Sequence, residues 1–384
     1  MIAPGSQRPL RLVVIGSGAL ARVVCYTLAG VCTEPMTILI LGRAPQRLAD
    51  LCFVAQARAT ASGVPVSFTG MATDITDPAS IAPALRGTAE GVVLVCASEQ
   101  SPWEAGHQPS AWTAFVRRAG YGVTLPLQAT VALAAARALQ IAKVPMTLVN
   151  ACLPDAVNPA LAALGLPLLC GVGNVATLTA SLRAALATAA DGHTLRVVAH
   201  HAHLHTPEQD ADELRAWLDD TEVQDVTTLL RPQRDTDRGE LNQVTGHVAA
   251  LFLLDLIRGA GFAANVPGPL GLAGGYPVRI TGDRVELDLP AALPLATAVD
   301  SNRQAGLRDG IDIHDGRADF GPAAASLLHR HRSPLAGGFA LSELPSARRE
   351  LLTLRDALRR QPEVKDDHHD HVSHDAGPAP VHKS

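Results

Sequence analysis

Apolar positions along this chain fall into two patterns. Leu12-Val13-Val14-Ile15, Met36 to Leu41, Val64 to Phe68, Gly91 to Ala97 and Pro145 to Val149 are short runs in which nearly every position is apolar. Such runs, rich in β-branching, suit strands buried on both faces of a parallel sheet. Between them lie stretches of helical spacing: Val23, Val24, Tyr26, Thr27 and Leu28, then Pro45 to Ser62, Ile81 to Leu85, Ser110 to Ala119 and the almost wholly apolar Leu127 to Ala142. Strands alternating with helices predict an α/β fold with a doubly wound parallel sheet. Ser98 to His107, with Pro102, Trp103 and Gly106, reads as a loop over one end of that sheet.

The first apolar run leads into Gly16-Ser17-Gly18-Ala19-Leu20-Ala21. A strand, a Gly-x-Gly-x-x-Ala turn and a helix in that order form the Rossmann-type dinucleotide fingerprint. Gly16 permits the turn, Gly18 lets backbone approach a pyrophosphate, and Ala21 lets helix pack on strand. A tight turn that binds nothing is the alternative. An NAD site usually carries Asp or Glu at the end of the second strand, to bond the ribose 2′-hydroxyl. This chain has Gly42 there, then Arg43 and Arg47. Guanidinium groups suit a 2′-phosphate, so NADP is favoured over NAD, unless both arginines are merely solvated. Ala97, at the end of the fourth run, completes the candidate cofactor residues.

The second half is patterned less clearly. Pro207 to Asp219 reads as a helix and Asp225 to Asp237 as a charged loop. Leu241 to Gly259 is a long amphipathic helix, with Val244, Val248, Leu251, Leu254 and Leu256 as its stripe; Asn242, Gln243 and His247 lie on or beside it. Gly275 to Ile280 and Arg284 to Asp288, joined by Gly282-Asp283, predict a hairpin. Ala291 to Gly306 reads as a helix, Asp309 to Phe320 as a second hairpin, and Glu343 to Arg360 as an amphipathic helix needing a surface on its own domain or on a partner. The expected organisation is a Rossmann domain over 1–149, an α+β substrate domain over 150–332, a C-terminal helix over 333–360, and a disordered His/Asp-rich tail over 361–384. Imidazoles among carboxylates in that tail suit Zn, Ni or Cu, though a solvated tail is the default.

Composition narrows the function. With 384 residues the chain is long enough for two domains, and its formal charge of -5 carries no nucleic-acid signature. No stretch reads as long and apolar enough to cross a membrane, and the N-terminus lacks a signal-peptide apolar region. Six cysteines without CxxC spacing read as reduced core thiols of a cytoplasmic protein.

From Asn150 onward the chain resembles a family. Asn150-Ala151-Cys152-Leu153-Pro154-Asp155 is similar to the Asn-Pro-x-Asp turn of lactate and malate dehydrogenases. Leu169 to Val175 resembles that family's next strand and glycine pair, Arg196 to His203 its strand ending in a catalytic histidine, and Gly239-Glu240-Leu241-Asn242 its turn before a long helix. The order holds from about Arg8 to Leu289. The resemblance implies an NAD(P)-dependent oxidoreductase of a small polar substrate, with His201 as acid–base, Asn150 at the nicotinamide end, and a homo-oligomer. It also marks departures: Thr177 stands where the family has an orienting Asp, and Ala180 where it has a carboxylate-clamping Arg. Ser98 to His107 holds no arginine, and Arg117 and Arg118 come later. Arg183, one helical turn beyond Ala180, is the candidate replacement clamp, or else a rim arginine. If His201, His203 and His205 share one strand face with His200 opposite, three roles stay open: acid–base work by His201, a zinc or manganese site, or exposed imidazoles. No metal ligand is assigned, although the related NAD-dependent glycoside hydrolases hold manganese and Cys170 lies close. A metal-dependent lyase or glycosidase and a non-catalytic dinucleotide-binding protein therefore remain alternatives.

Overall fold

In the computed structural model, residues 10–86 and 91–363 are described. The chain runs β1 (Leu10–Ile15), α1 (Ala19–Val31), β2 (Met36–Gly42), α2 (Pro45–Ser62), β3 (Val66–Ala72), α3 (Pro78–Arg86), β4 (Gly91–Val95), α4 (Glu104–His107), α5 (Ala111–Ala119), α6 (Leu125–Ala142), β5 (Met146–Asn150), α7 (Pro154–Ala163) and β6 (Cys170–Gly171). These strands form one six-stranded parallel sheet in the order β3-β2-β1-β4-β5-β6. The order reverses between β1 and β4, and open α/β sheets bind ligands beyond the strands' C-terminal ends at such a switch point.

The chain continues through α8 (Asn174–Leu186), β7 (Leu195–Val198), β8 (Arg215–Leu218), β9 (Thr221–Glu222), α9 (Val226–Asp235), α10 (Arg238–Arg258), β10 (Phe262–Pro267), β11 (Gly275–Thr281), β12 (Arg284–Leu287), α11 (Leu295–Arg308), β13 (Ile311–His314), β14 (Arg317–Phe320), α12 (Pro322–Arg330), β15 (Phe339–Ala340) and α13 (Leu344–Arg359). Three small antiparallel sheets, β7-β8-β9, β10-β11-β12 and β13-β14-β15, complete the second half.

Two cores cover the two faces of the parallel sheet. Val13, Ile15, Val93 and Val95 pack with α3, α5, α6, α12 and α13 on one side. Leu12, Val14, Val92 and Leu94 pack with α1, α2 and α10 on the other. This is the period-2 split that continuous apolar strands impose. The long α10 lies so close to α1 that a Cβ at Gly246 would sit 2.5 Å from Val23. The C-terminal helix α13 docks on α5 and α6, with Leu344, Ala347, Leu351 and Leu358 buried in the first core.

Four sequence expectations are corrected. Pro207 to Asp219 is not a helix: its end is strand β8, paired antiparallel with β7. Asp225 to Asp237 is not a loop: α9 forms there by burying Val226, Leu230 and Gln233 at helical spacing. Tyr121 to Ala142 is long and apolar enough to cross a membrane by length and composition, contrary to the reading of the sequence, but it is a core helix almost wholly buried in the protein. The histidine run does not continue β7, which ends at Val198; His201–Leu204 is a single 3-10 turn. Of the tail over 361–384, residues 364–384, which carry all of its His and Asp, lie outside the described residues.

Candidate active site

The glycine turn closes the C-terminal end of β1. Gly16 has φ +126°, and a Cβ there would lie 3.0 Å from the Cβ of Ala97 and from the backbone of Cys96. Only glycine fits both constraints. The Gly16 N–H donates to Leu41 O at 2.8 Å, and Cys96 N–H to Ile15 O at 2.9 Å, so the turn is held between β2 and β4. Gly18 begins α1 with no side-chain cap and no acidic residue in the first turn. A Cβ on Gly18 would meet nothing within 4 Å. An uncapped helix start in open space offers N–H groups and a positive dipole end to an anion. These residues fit a dinucleotide pyrophosphate.

At the end of β2, a Cβ on Gly42 would lie 3.2 Å from Leu48 and 3.5 Å from Ser17 Oγ. Arg43 and Arg47 are exposed beside it. A third guanidinium, which the sequence reading missed, comes from Arg22 on α1, bonding Arg47 O at 3.4 Å and Tyr26 Oη at 3.3 Å. It sits one turn into the helix that the glycine motif opens, so the motif's own helical period could have found it.

The second cluster centres on His201. Its N–H donates to Asp155 Oδ1 at 3.1 Å, and Asn174 Nδ2 donates to Asp155 Oδ2 at 2.9 Å. The buried Asp155, in the first turn of α7, thus ties the 3-10 turn to α8. The imidazole Nδ1 lies 3.0 Å from Oδ2 of Asp309, which follows the last turn of α11. The Tyr121 ring stacks on the imidazole at 5.2 Å between centroids and 25° between planes. Burial opposes a charged imidazole, but the carboxylates of Asp309 and Asp155 outweigh it and hold the His201 pKa above its ordinary 6.5. Burial likewise works against the Asp309 carboxylate, and His201 overcomes it, keeping Asp309 below its ordinary range. Nδ1 carries its proton toward Asp309, which leaves Nε2, on a side chain 22% exposed, as the nitrogen available for chemistry.

The neighbouring histidines are structural. His200 N–H donates to His203 Nδ1 at 2.7 Å, Ala202 N–H to His200 Nδ1 at 3.2 Å, and His203 Nε2 bonds Asp212 O at 3.1 Å. Burial lowers both pKa values, that of His203 to about 4. His205 is exposed. Among the described residues, no three His, Cys, Asp or Glu side chains come together as a metal site.

Other expected residues are placed differently. Asn150 is fully buried; its Nδ2 donates to Asn158 Oδ1 and Cys152 O, and its Oδ1 accepts from Cys152 N–H. Its side chain therefore braces the β5–α7 turn. Arg183 donates to Ala190 O and His193 O. Those carbonyls precede β7, whereas His201 follows it, so the guanidinium fastens the opposite end of that strand from the imidazole. Thr177 donates to Gly173 O and pairs with Thr245 at 2.8 Å. Arg238, at the start of α10, is a cation within electrostatic reach of His201 and donates to Leu204 O at 2.9 Å.

Solved structures share this arrangement of strands and helices. Malate dehydrogenase from Picrophilus torridus in its apo form matches with TM-score 0.50 and 12% identity, over 79% of this chain and 98% of that one. The fold is that of the lactate and malate dehydrogenases. Lactate dehydrogenase from Cryptosporidium parvum, in complex with lactic acid and nicotinamide adenine dinucleotide, matches at TM-score 0.49 and 12% identity, covering 79% of this chain and 96% of that one. Malate dehydrogenase from Plasmodium falciparum in complex with NADH gives 0.47 and 11%, covering 78% and 96%. No protein-family model and no curated protein matches the sequence.

Proposed function

We propose that this chain is an NAD(P)-dependent oxidoreductase that prefers NADP and interconverts an alcohol and a carbonyl in a small polar substrate. The observation that carries the reading is the His201–Asp309 pair, combined with the Gly16–Gly18 turn at the C-terminal end of the sheet. The bound nicotinamide would supply or accept the hydride. The residues of this chain do the rest. The open start of α1 would hold the pyrophosphate, and Arg43 and Arg47, with Arg22 beside them, would supply the guanidinium charge for a 2′-phosphate. His201 Nε2 gives a proton to the carbonyl oxygen during reduction and takes it back during oxidation. Asp309 holds the ring in the tautomer and orientation that this transfer needs.

Ala180 stands where the resemblance would place the clamping arginine, Ser98 to His107 holds no arginine, and Arg183 is engaged elsewhere. A substrate held without a bidentate carboxylate clamp fits better than a 2-hydroxy acid. The test is thermal unfolding with NADP⁺, NADPH, NAD⁺ and NADH, for the wild type and Arg43→Asp, followed by a carbonyl substrate screen. Mass action raises the midpoint for any ligand that binds the native state. Stabilisation by NADP(H) that the variant loses supports the reading; no shift with any dinucleotide rejects it.

A further inference from the structure

The segment between β4 and α5, lying over the C-terminal end of the sheet, is fastened to the C-terminal helix. Arg359 on α13 grips Glu104 with two bonds, at 2.6 and 2.5 Å. Arg348 grips Glu99 in the same bidentate way, Thr130 donates to that carboxylate at 2.8 Å, and Arg355 donates to Glu99 O at 2.9 Å. The contacts continue inward. Gln100 Nε2 donates to Glu104 Oε2 at 2.9 Å, and Trp112 Nε1 donates to Gln100 Oε1 at 3.0 Å. Gln128 Nε2 donates both to Gln100 O, at 3.2 Å, and to Tyr121 Oη, at 2.7 Å. The Tyr121 ring is the one stacked on His201.

Gln100, Glu104 and Gln128 are 3%, 7% and 3% exposed. A buried polar chain is costly unless each member is bonded, and a bonded one fixes a single arrangement. We propose that α13 positions the acid–base histidine, through Arg359, Glu104, Gln100, Gln128 and Tyr121 as one hydrogen-bonded chain ending on the His201 ring. The inference rests on the reading above only in giving His201 its proton-transfer role. Tyr121 and Gln128 are positioning residues: the amide fixes the phenol, and the phenol face fixes and shields the imidazole. An aromatic face also favours the imidazolium over the neutral ring. The charged and titratable groups around His201 include Asp309 after α11, Asp155 on α7, His200 beside it, Arg238 on α10 and Tyr121 itself, with Arg308 on α11 acting on His200 and Cys152 and Glu104 acting on Tyr121.

The direction of the effect separates positioning from direct electrostatics. Removing the Arg359 cation by itself favours a positive charge nearby, so it raises the His201 midpoint. Releasing Tyr121 from the imidazole lowers it. The experiment is an NMR titration of His201 in the full chain, without dinucleotide or substrate, for wild type, Arg359→Met, Arg359→Lys, Gln128→Leu and the double variant Arg359→Met with Gln128→Leu. The expected result is a midpoint lower by about half a pH unit in Arg359→Met, the size of one lost ring–cation contact. Arg359→Lys gives a smaller drop, because lysine keeps the charge and loses the fork; it carries the test if Arg359→Met fails to fold. Arg359→Met adds nothing once Gln128→Leu has cut the chain. An unmoved or raised midpoint, or an equal shift in both backgrounds, overturns the proposal. Because no dinucleotide is used, this outcome is independent of whether one binds.

Discussion

Asp309 and His201 are 108 positions apart and meet at 3.0 Å. No local pattern announces such a pair. Asp309 reads in sequence as the start of a hairpin, whereas it closes α11 and points its carboxylate back at the 3-10 turn. Thr177, standing where the resemblance would place an orienting carboxylate, suggests a site without one; the structure supplies the carboxylate from another element. Asp309→Asn keeps the shape and removes the charge that favours the imidazolium. Its expected effects are a His201 midpoint moved toward or below 6.5 and a kcat loss of about 10²-fold or more, within the usual range for acid–base catalysis. A pH–rate profile with an unmoved limb would show that Asp309 does not set the protonation of His201. The His201→Asn variant should lose turnover by about 10²–10⁴-fold while dinucleotide binding, read by calorimetry, stays intact.

At the scale of elements, strands β1, β2, β4 and β5 were legible because strands covered on both faces are apolar at nearly consecutive positions, whereas edge strand β3 alternates buried Val66 and Phe68 with exposed residues and was read two residues early. The glycine turn was legible for a related reason: φ +126° and a 3.0 Å approach to Ala97 leave no alternative residue. Gly16→Ala is therefore expected to cost about 1–3 kcal/mol in backbone strain, read as a lower denaturation midpoint, and to weaken dinucleotide binding further by displacing the start of α1. Wild-type stability and binding in this variant would remove the turn from the site. Elsewhere the physics hid the elements. α9 is rich in charge and contains Pro232, so its composition suggested a loop, yet Val226, Leu230 and Gln233 form a buried stripe. The histidines suggested a period-2 face, but the chain leaves β7 at Val198 and turns, so that period no longer applies. Arg183 illustrates the limit of helical spacing: it shares a face with position 180, but its side chain reaches the carbonyls of Ala190 and His193 instead.

Across the whole molecule, buried histidines and paired carboxylates divide the acid range between them. His203 is buried, with a folded pKa of about 4 against 6.5 for the ordinary side chain, and burial lowers His200 as well. For a base whose folded pKa is depressed, the unfolded chain takes up the proton first. Stability is then complete above 6.5 and falls as pH drops from 6.5 toward 4. Glu99 and Glu213 are held below the ordinary 4.5, their arginine partners outweighing burial, so their contribution is lost only further down. His201 has the opposite sign: its folded pKa is raised, so its contribution is present below 6.5 and fades as pH rises through the folded value. Between pH 7 and 4.5, above the carboxylate range, the two buried histidines act against an opposite contribution from His201 near the top of the window, so the difference in denaturant unfolding between the wild type and a His203 variant isolates His203. The wild type should lose stability across that window, with His203 alone accounting for up to roughly 3 kcal/mol by pH 4. His203→Gln retains an amide donor for Asp212 O and an acceptor for His200 N–H but cannot protonate. It should begin less stable at pH 7 and show a visibly shallower slope down to pH 4.5. A slope equal to the wild type's would mean that His203 titrates as it does in the unfolded chain, and that the 3-10 turn carrying His201 is not held by a neutral, buried imidazole.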